Sequence, residues 1–150
     1  EIERRPCEVD ALFDTVRQNT RKSLADRGVT LITHSGGGTL NCNADLIQSL
    51  LINLVDNAAK AYDTDAPDKR VFLTFSGDTI EVRDFGRGIP EQAMGRIFEP
   101  FYMADKSRSK KAGGSGLGLA LVKRIADAHD AELTVKSGVG KGTTVRVRFQ

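Results

Sequence analysis

Three polar side chains line one narrow stripe of a predicted helix that is otherwise apolar. Asn53, Asn57 and Lys60 are spaced i, i+4 and i+7, so at about 100° per residue they share one face. An Asn side-chain oxygen can bind Mg²⁺ as a hard, neutral ligand, and an ammonium group one turn further can meet a phosphate. Taken alone, the stripe is more typical of a solvent-exposed polar face than of a binding site.

A second candidate site directly follows a predicted strand, in the segment Asp84-Phe85-Gly86-Arg87-Gly88-Ile89-Pro90. A carboxylate at a strand end can accept a hydrogen bond from an exocyclic amine. The two glycines allow positive φ and a close approach by a ligand. Together these features suit a purine ring, although Asp84 on its own is more typical of an Asx turn.

Two glycine-rich segments lie in the C-terminal half. The segment from Gly113 to Gly118 is at the start of a predicted helix, where backbone N–H groups and the helix dipole favour an anion. It is not a Walker loop, since no Lys-Ser or Lys-Thr pair follows, and no βαβ unit precedes it as in a dinucleotide-binding fold. A flexible hinge is the alternative interpretation and is compatible with phosphate binding. The segment from Gly138 to Thr143 is, by itself, a hairpin turn.

The elements that must position these residues follow from hydrophobic periodicity and from cap and turn signals. We expect a connector over 1–6, a helix capped by Asp10 and ended by Gly28, a strand over 29–33, and a helix that starts after Asn43. A loop over 64–69 and a hairpin over 71–75 and 79–83 lead to Asp84. A long irregular stretch then precedes a helix over 117–128 and strands over 133–137 and 143–149. This order predicts an α+β fold, a two-layer sandwich with helices on one face of a sheet.

Composition limits the functions open to the chain. A length of 150 residues corresponds to one domain, 1–150. A net charge of +2 and the lack of tryptophan argue against a strongly basic nucleic-acid-binding protein. The apolar runs are far too short to span a bilayer, and two cysteines are too few for a disulfide framework. We therefore expect a protein of the reducing cytoplasm that binds no nucleic acid.

In their joint order these segments resemble the sequence boxes of a sensor histidine kinase. The segments are Asn53-Leu-Val-Asp-Asn57-Ala-Ala-Lys60, Asp84-x-Gly86-x-Gly88, Phe98-Glu-Pro-Phe101, Gly114-x-Gly116-x-Gly118 and Gly140-x-Gly142-Thr143. They cover nearly the whole chain and are similar to those of the catalytic and ATP-binding domain, in the gyrase, MutL and histidine-kinase ATPase superfamily. The resemblance implies the Bergerat fold, a mixed sheet of about five strands with three helices on one face, and ATP and Mg²⁺ as ligands.

The resemblance also implies how the triphosphate and metal are held. Asn57 would bind Mg²⁺, Asn53 would support the metal or the phosphates, and Lys60 would contact a phosphate. The glycines expected to flank the triphosphate, with the N–H groups of Leu117 and Gly118 as donors, are Gly114, Gly116 and Gly118.

The adenine end of the site is implied in the same way. Asp84 would accept a hydrogen bond from the adenine amine, partly through water, and Thr143 would hold a water near the base. The family's usual aromatic after the lysine is replaced by Ala61, with Tyr62 following, which leaves open which side chain stacks near the ribose or adenine. The residues expected to shape the adenine pocket are Gly86, Gly88 and Ile89.

Residues 102–114 resemble the ATP lid of that family, with Phe98 and Phe101 as its anchors. The segment holds four cations in six residues, over 106–111. Such a charge run is usually a solvated loop, but beside a triphosphate it can also screen negative charge. Lys106 and Arg108 are our candidates for phosphate contacts.

Three classes of function fit these motifs. The first is phosphotransfer, in which the ATP-binding half of a sensor histidine kinase donates the γ-phosphate of ATP to a histidine. The second is ATP hydrolysis as in gyrase and MutL, but those relatives carry Glu at the position of Asn53, and an amide cannot take a proton at neutral pH. The third is a partner-binding serine kinase of the anti-sigma type, a group that usually lacks the box from Phe98 to Phe101.

Phosphotransfer requires an acceptor histidine, and neither histidine of the chain has a suitable context. His34 precedes three glycines in a turn, and His129 ends the third predicted helix without a following Thr-Pro or Asn-Pro. We therefore expect an upstream dimerisation and phosphoacceptor domain, joined through residues 1–6, and a response regulator as the partner of the full-length kinase. The isolated chain is expected to be monomeric, cytoplasmic (alone or as part of a membrane-bound sensor) and unable to phosphorylate itself.

Overall fold

The computed structural model describes residues 1–100, Tyr102 and residues 118–150. Within these residues the helices are α1 (Val9–Arg27), α2 (Ala44–Lys60) and α3 (Gly118–Ala128), with a short 3-10 helix over Glu91–Arg96. The strands are β1 (Arg5–Glu8), β2 (Thr30–His34), β3 (Thr39–Cys42), β4 (Arg70–Ser76), β5 (Thr79–Asp84), β6 (Glu132–Gly138) and β7 (Gly142–Arg148).

Five of these strands form one mixed sheet, in the order β2-β4-β5-β7-β6. The β2–β4 pair is parallel and the other three pairs are antiparallel. Helix α2 packs between α1 and α3 and against β4 and β5, so the helices form the second layer. The expected two-layer α+β sandwich with about five strands and three helices is confirmed.

The interior is built around α2, whose apolar stripe is fully enclosed. Its side chains meet the inward-facing residues of β4 and β5, which alternate with exposed ones at the two-residue period of a strand. The buried α2 residues are Ile47, Leu50, Leu51, Leu54, Val55, Ala58 and Ala59. Because the apolar stripe faces the sheet and α1, the polar stripe of α2 is left at the edge of the layer.

The predicted cap signals of the helices are confirmed at two of three positions. Gly28 ends α1 with φ of 70°, the left-handed conformation that favours glycine. Asn43 caps α2, and its side chain accepts a hydrogen bond from the N–H of Leu46 at 3.1 Å. The prediction for Asp10 was wrong, because the N-cap of α1 is Glu8 and Asp10 lies in the first turn. The Asp10 carboxylate accepts from the Ser35 hydroxyl instead, beside the glycine turn.

A second, two-stranded sheet between β1 and β3 was not predicted. The connector expected over 1–6 is therefore too long, since Arg5 and Pro6 belong to β1 and pair with Cys42 and Asn41. The Arg4 guanidinium extends the pairing with a hydrogen bond to the Asn41 carbonyl at 3.1 Å. This small sheet fixes the chain that enters α1 to the chain that enters α2.

The remaining predicted elements lie within one or two residues of their expected positions. The strand expected over 29–33 is β2, the hairpin is β4–β5, and the last two strands are β6 and β7. The stretch after Pro90 is not wholly irregular, because Glu91–Arg96 forms the 3-10 helix. No helix among the described residues combines the length and hydropathy that crossing a membrane requires.

His129 is a structural residue that joins the end of α3 to the start of α2. Its side chain is fully buried, Nδ1 donates to the carbonyl of Ile125 at 2.8 Å, and Nε2 accepts from the N–H of Asn43 at 3.1 Å. Burial lowers the pKa of His129, consistent with a neutral ring whose Nε2 must accept. His34, at the end of β2, is exposed.

Replacing His129 with leucine should lower the free energy of unfolding by about 1–3 kcal/mol, because the buried N–H of Asn43 loses its acceptor. Urea denaturation at pH 7.5 measures this change. The matched control is His34→Leu on the surface, which should change stability by no more than about 0.5 kcal/mol. If the two substitutions changed the free energy of unfolding equally, the His129 hydrogen bonds would not stabilise the fold.

Candidate nucleotide-binding site

The amide side chains of α2 meet the first residue of α3. A Cβ added to Gly118 would lie 3.4 Å from Asn53 Oδ1 and 3.4 Å from Asn57 Nδ2. Asn53 donates through Nδ2 to the carbonyl of Ser49 at 2.8 Å, which leaves its oxygen directed towards Gly118. The structure therefore brings Asn53, Asn57 and Gly118 together, and Gly118 leaves the space between them open.

Lys60 occupies the last turn of α2 and is half-buried. Asp56 lies one turn earlier, and burial raises the pKa of its carboxyl group, while the charges of Lys60 and Arg27 oppose that rise. Ser23 and Arg27 of α1 both lower the pKa of Asp56, so this carboxylate lies on the side of α1. Within 53–60, the polar groups next to α3 are amides and the single carboxylate faces the other way.

Asp84 ends β5 and is almost completely buried, with 4% of its surface exposed. Its Oδ1 accepts from the N–H of Gly86 at 2.8 Å, which is the Asx turn that the sequence alone favoured. Burial raises the pKa of Asp84 to about 6, while hydrogen bonds from the N–H groups of Gly86 and Thr143 and the charge of Arg87 act against that rise. The turn and a functional carboxylate are thus compatible, because the group is still ionised at pH 7.

The turn after Asp84 lies between two other segments at distances that only glycine permits. A Cβ on Gly86 would lie 2.5 Å from the carbonyl oxygen of Ala61, at the end of α2. A Cβ on Gly88 would overlap the carbonyl of Gly138, and one on Gly142 would overlap the carbonyl of Asp84. The Asp84 turn is therefore enclosed by the end of α2 on one side and by the β6–β7 turn on the other.

Ser137 is a residue of this region that the sequence analysis did not find. Its hydroxyl lies 2.7 Å from the Thr143 hydroxyl, accepts from the N–H of Ile89 at 2.8 Å, and donates to the Gly142 carbonyl at 3.0 Å. Ser137 thereby positions Thr143 and Ile89, two of the predicted adenine residues. The feature of the sequence that indicates this role is the position of Ser137 opposite Thr143 in the predicted hairpin.

Tyr62 is the second residue whose role was missed. Its hydroxyl accepts from the N–H of Phe85 at 2.8 Å and donates to the carbonyl of Arg70 at 2.5 Å. The ring is thereby held by backbone groups on β4 and the Asp84 turn. Ala61 contributes its carbonyl, which accepts from the N–H of Arg87 at 2.9 Å.

Several predicted site residues lie outside the described residues: Phe101, Lys106, Arg108, Gly114, Gly116 and Leu117. Of the predicted lid anchors, the structure describes Phe98, which is half-buried.

The described residues fit a Mg²⁺ ion that is bound together with a phosphate-bearing ligand. Mg²⁺ takes oxygen ligands and usually keeps several waters, so one protein oxygen can suffice when phosphates complete the shell. Asn57 is exposed and borders the space that a Cβ on Gly118 would fill. The side-chain oxygens of Asn53 and Asn57 are the neutral oxygen atoms that the structure places beside this space.

Comparison with known proteins identifies the family. Residues 42–150 match the family described as histidine kinase-, DNA gyrase B-, and HSP90-like ATPase. The chain is 40% identical over 131 residues to the sensor histidine kinase YkoH of Bacillus subtilis, which covers 87% of this chain and 28% of that protein. The chain therefore belongs to the histidine kinase-, DNA gyrase B- and HSP90-like ATPases, and it spans little more than a quarter of that relative's length.

Solved structures show the same fold. The mycobacterial sensor histidine kinase MprB matches with a TM-score of 0.79 and 24% identity, covering 97% of this chain and 96% of that chain. Full-length ShkA in complex with AMPPNP matches with a TM-score of 0.81 and 24% identity, covering 99% of this chain and 31% of that chain. The sheet and helices described above are thus arranged as in these two structures.

Replacing Asp84 with asparagine should weaken the binding of adenine nucleotides by roughly tenfold to a hundredfold, because a charged acceptor is lost. The affinity of the native chain should fall as the pH drops below about 6, where Asp84 takes up a proton. The Asp84→Asn variant should lack this part of the pH dependence. Calorimetric titration with ADP and Mg²⁺ between about pH 5.5 and pH 8, a range that spans the titration of this group, measures both effects.

The free energy of unfolding should depend on pH, and on the Asp84→Asn substitution, in the opposite direction to the nucleotide affinity. A raised pKa means that the folded state holds the Asp84 proton more tightly, so stability is lost as the pH rises from about 4 to about 6. At pH 7.5 this loss is on the order of 3 kcal/mol, and Asp84→Asn removes it while keeping an acceptor for Gly86. A variant that unfolds more easily and still binds ADP as tightly as the native chain would show that Asp84 is structural.

Proposed function

We propose that this chain binds ATP with Mg²⁺ in the groove between α2, the Asp84 turn and α3, and donates the γ-phosphate to a histidine of a separate domain. The proposal rests on the side chains found at the two ends of this groove. A buried carboxylate lies beside glycine backbone at one end, and two amides lie beside the start of a helix at the other. These are the chemistries that an adenine base and a metal-bound triphosphate require.

The adenine end recognises a base through its amine. At pH 7 the Asp84 carboxylate is ionised and accepts a hydrogen bond from the exocyclic amino group. Thr143, whose hydroxyl is oriented by Ser137, supplies a further polar group at the same end. The glycines of the turn let the flat ring approach the backbone without meeting a side chain.

The phosphate end combines an ammonium, an amide ligand and a helix N-terminus. Lys60 contacts a phosphate, and the N–H of Gly118, first in α3, donates to another with the favourable helix dipole. Asn57 holds Mg²⁺, which when bound neutralises charge on the phosphates and withdraws electrons from the bond that breaks. The predicted contacts of Lys106, Arg108, Gly114, Gly116 and Leu117 belong to this proposal.

Transfer to a protein group is favoured over hydrolysis by the chemistry of α2. The position next to α3 carries Asn53, which cannot act as a general base. The nearest carboxylate on the helix, Asp56, interacts with Ser23 and Arg27 on the side of α1. No group described in this part of α2 is placed to activate a water beside the γ-phosphate.

The acceptor comes from outside the chain. His129 is fully buried with both ring nitrogens engaged, and His34 is exposed at the end of β2, where no described site residue accompanies it. In the transfer step a histidine nitrogen forms a bond to the γ-phosphorus as the bond to the bridging oxygen breaks, and ADP leaves. Accurate placement of the nucleophile in line with that bond is the main requirement.

The family supports this proposal and extends it. The related sensor kinases are much longer than this chain, and ShkA was solved with AMPPNP, which has the adenine and triphosphate skeleton of ATP. We propose a dimerisation and phosphoacceptor domain preceding the chain in the same protein, and a response regulator as the downstream partner. The chain itself is proposed to be a cytoplasmic monomer.

Mixing the chain with a histidine-bearing helical hairpin of a sensor histidine kinase and γ-labelled ATP should label a histidine of the hairpin. Asn57→Ala should reduce the initial rate of labelling by at least about a hundredfold, because Mg²⁺ is no longer held at the phosphates. Asn19→Ala is the matched control, since Asn19 is an exposed amide on α1 that bonds to its own helix. Its rate should equal that of the native chain.

The chemical nature of the product distinguishes the three classes of function. Acid-labile phosphohistidine on the hairpin supports the proposal. Rapid release of free phosphate by the chain alone would indicate an ATPase, and acid-stable phosphoserine on a partner would indicate a serine kinase. Label on His129 would contradict the burial that the structure shows.

A further inference from the structure

Three hydrogen bonds join the C-terminal end of α2 to the Asp84 turn. Arg87 donates from Nη1 to the carbonyl of Lys60 at 2.9 Å and from its backbone N–H to the carbonyl of Ala61 at 2.9 Å. The third runs from the N–H of Phe85 to the hydroxyl of Tyr62 at 2.8 Å. We call this set the α2 bracket.

The bracket connects the two ends of the proposed nucleotide site. Helix α2 carries Asn53, Asn57 and Lys60, and the turn carries Asp84. Between Lys60 and Asp84 the chain runs through a loop and the whole β4–β5 hairpin, so the covalent connection alone does not set their separation. Direct bonds across the gap are needed to hold the helix end against the turn.

The Tyr62 hydroxyl accepts a hydrogen bond in the bracket and donates one outside it, to β4. It has one proton, which it donates to the carbonyl of Arg70, and a lone pair, which accepts from Phe85. Arg70 begins β4, and the next residue, Val71, pairs with Asp84 on β5. The Phe85 ring itself packs outward against Phe72, with ring centroids 5.9 Å apart, so the backbone N–H is its contribution to the bracket.

Arg87 links three segments at once. Besides the carbonyls of Lys60 and Ala61, its own carbonyl accepts from the N–H of Gly140 at 2.8 Å, in the β6–β7 turn. A cation at the C-terminal end of a helix also interacts favourably with the helix dipole. Lys60 is thus held through its backbone, which leaves its ammonium group available to the groove.

We propose that Tyr62 and Arg87 are positioning residues that set the distance between the adenine end and the phosphate end of the site. Their hydrogen bonds go to backbone groups, and they act through the Asp84 turn on one side and through α2 on the other. This inference rests on the proposed nucleotide binding. It predicts that loosening the bracket reduces the advantage of a ligand that reaches both ends over one that occupies the adenine end alone.

The test compares Mg²⁺-ADP with adenosine as probes, by calorimetry for the first and by chemical-shift titration for the second. Tyr62→Phe keeps the ring and removes the hydroxyl, and Arg87→Ala removes the guanidinium. Each should reduce the affinity for Mg²⁺-ADP by about threefold to tenfold, the effect of one lost hydrogen bond. At about pH 8, where Asp84 stays ionised without the Arg87 charge, adenosine affinity should change by less than about twofold, so the ratio of the two affinities falls.

Two controls separate positioning from general stabilisation. Arg87→Lys keeps a donor for the Lys60 carbonyl and should restore most of the ratio. Arg146→Ala removes an exposed arginine that pairs with Glu81 on the sheet, and its ratio should equal that of the native chain. Measurements at a temperature where circular dichroism shows every variant to be folded exclude losses that come from unfolding.

The outcomes are distinct. A reduced ratio in Tyr62→Phe or Arg87→Ala, with Arg146→Ala unchanged, supports the inference. An unchanged ratio in both, or an equal fall in Arg146→Ala, overturns it. A native chain that binds neither probe overturns the proposed function as well, so the two failures can be told apart.

Discussion

The burial of the Asp84 carboxylate is the constraint on which the site depends. An ionisable group at 4% exposure is costly unless its surroundings supply hydrogen bonds and opposite charge. Here they come from the N–H groups of Gly86 and Thr143 and from Arg87. The pKa of about 6 indicates that this compensation is incomplete, and in the proposed complex the adenine amine supplies a further hydrogen bond. Without a ligand, the folded chain is therefore less stable than it would be with an apolar side chain in place of the Asp84 carboxylate.

Three segments of the chain pack closely together around Asp84. The end of α2, the Asp84 turn and the β6–β7 turn approach at distances that exclude a Cβ on Gly86, Gly88 or Gly142. The glycines in these motifs thus have a packing reason in addition to ligand access. Because the segments are this close, the Arg87 guanidinium donates across the gap to a backbone carbonyl. The hydroxyls of Ser137 and Tyr62 accept from backbone N–H groups of the Asp84 turn.

Much of this arrangement could be predicted from local signals, and the rest depends on contacts distant in sequence. The stripe of α2, its Asn43 cap and the Asp84-x-Gly86-x-Gly88 turn are patterns within one element. The β1–β3 sheet was missed because each strand has four residues and β1 contains Pro6, so neither shows a clear alternation. The hydroxyls of Tyr62 and Ser137 act on residues 23 and 48 positions away, which no spacing rule reveals.

The role of Asp84 in nucleotide binding can be tested by one distance, in a structure of the chain with Mg²⁺ and a non-hydrolysable ATP analogue. We expect the adenine amino nitrogen to lie about 3 Å from an Asp84 carboxylate oxygen, or to be joined to it by one bridging water, and we expect Asn57 to contact the metal. An analogue bound elsewhere, or an adenine amine with neither contact to Asp84, would contradict this role.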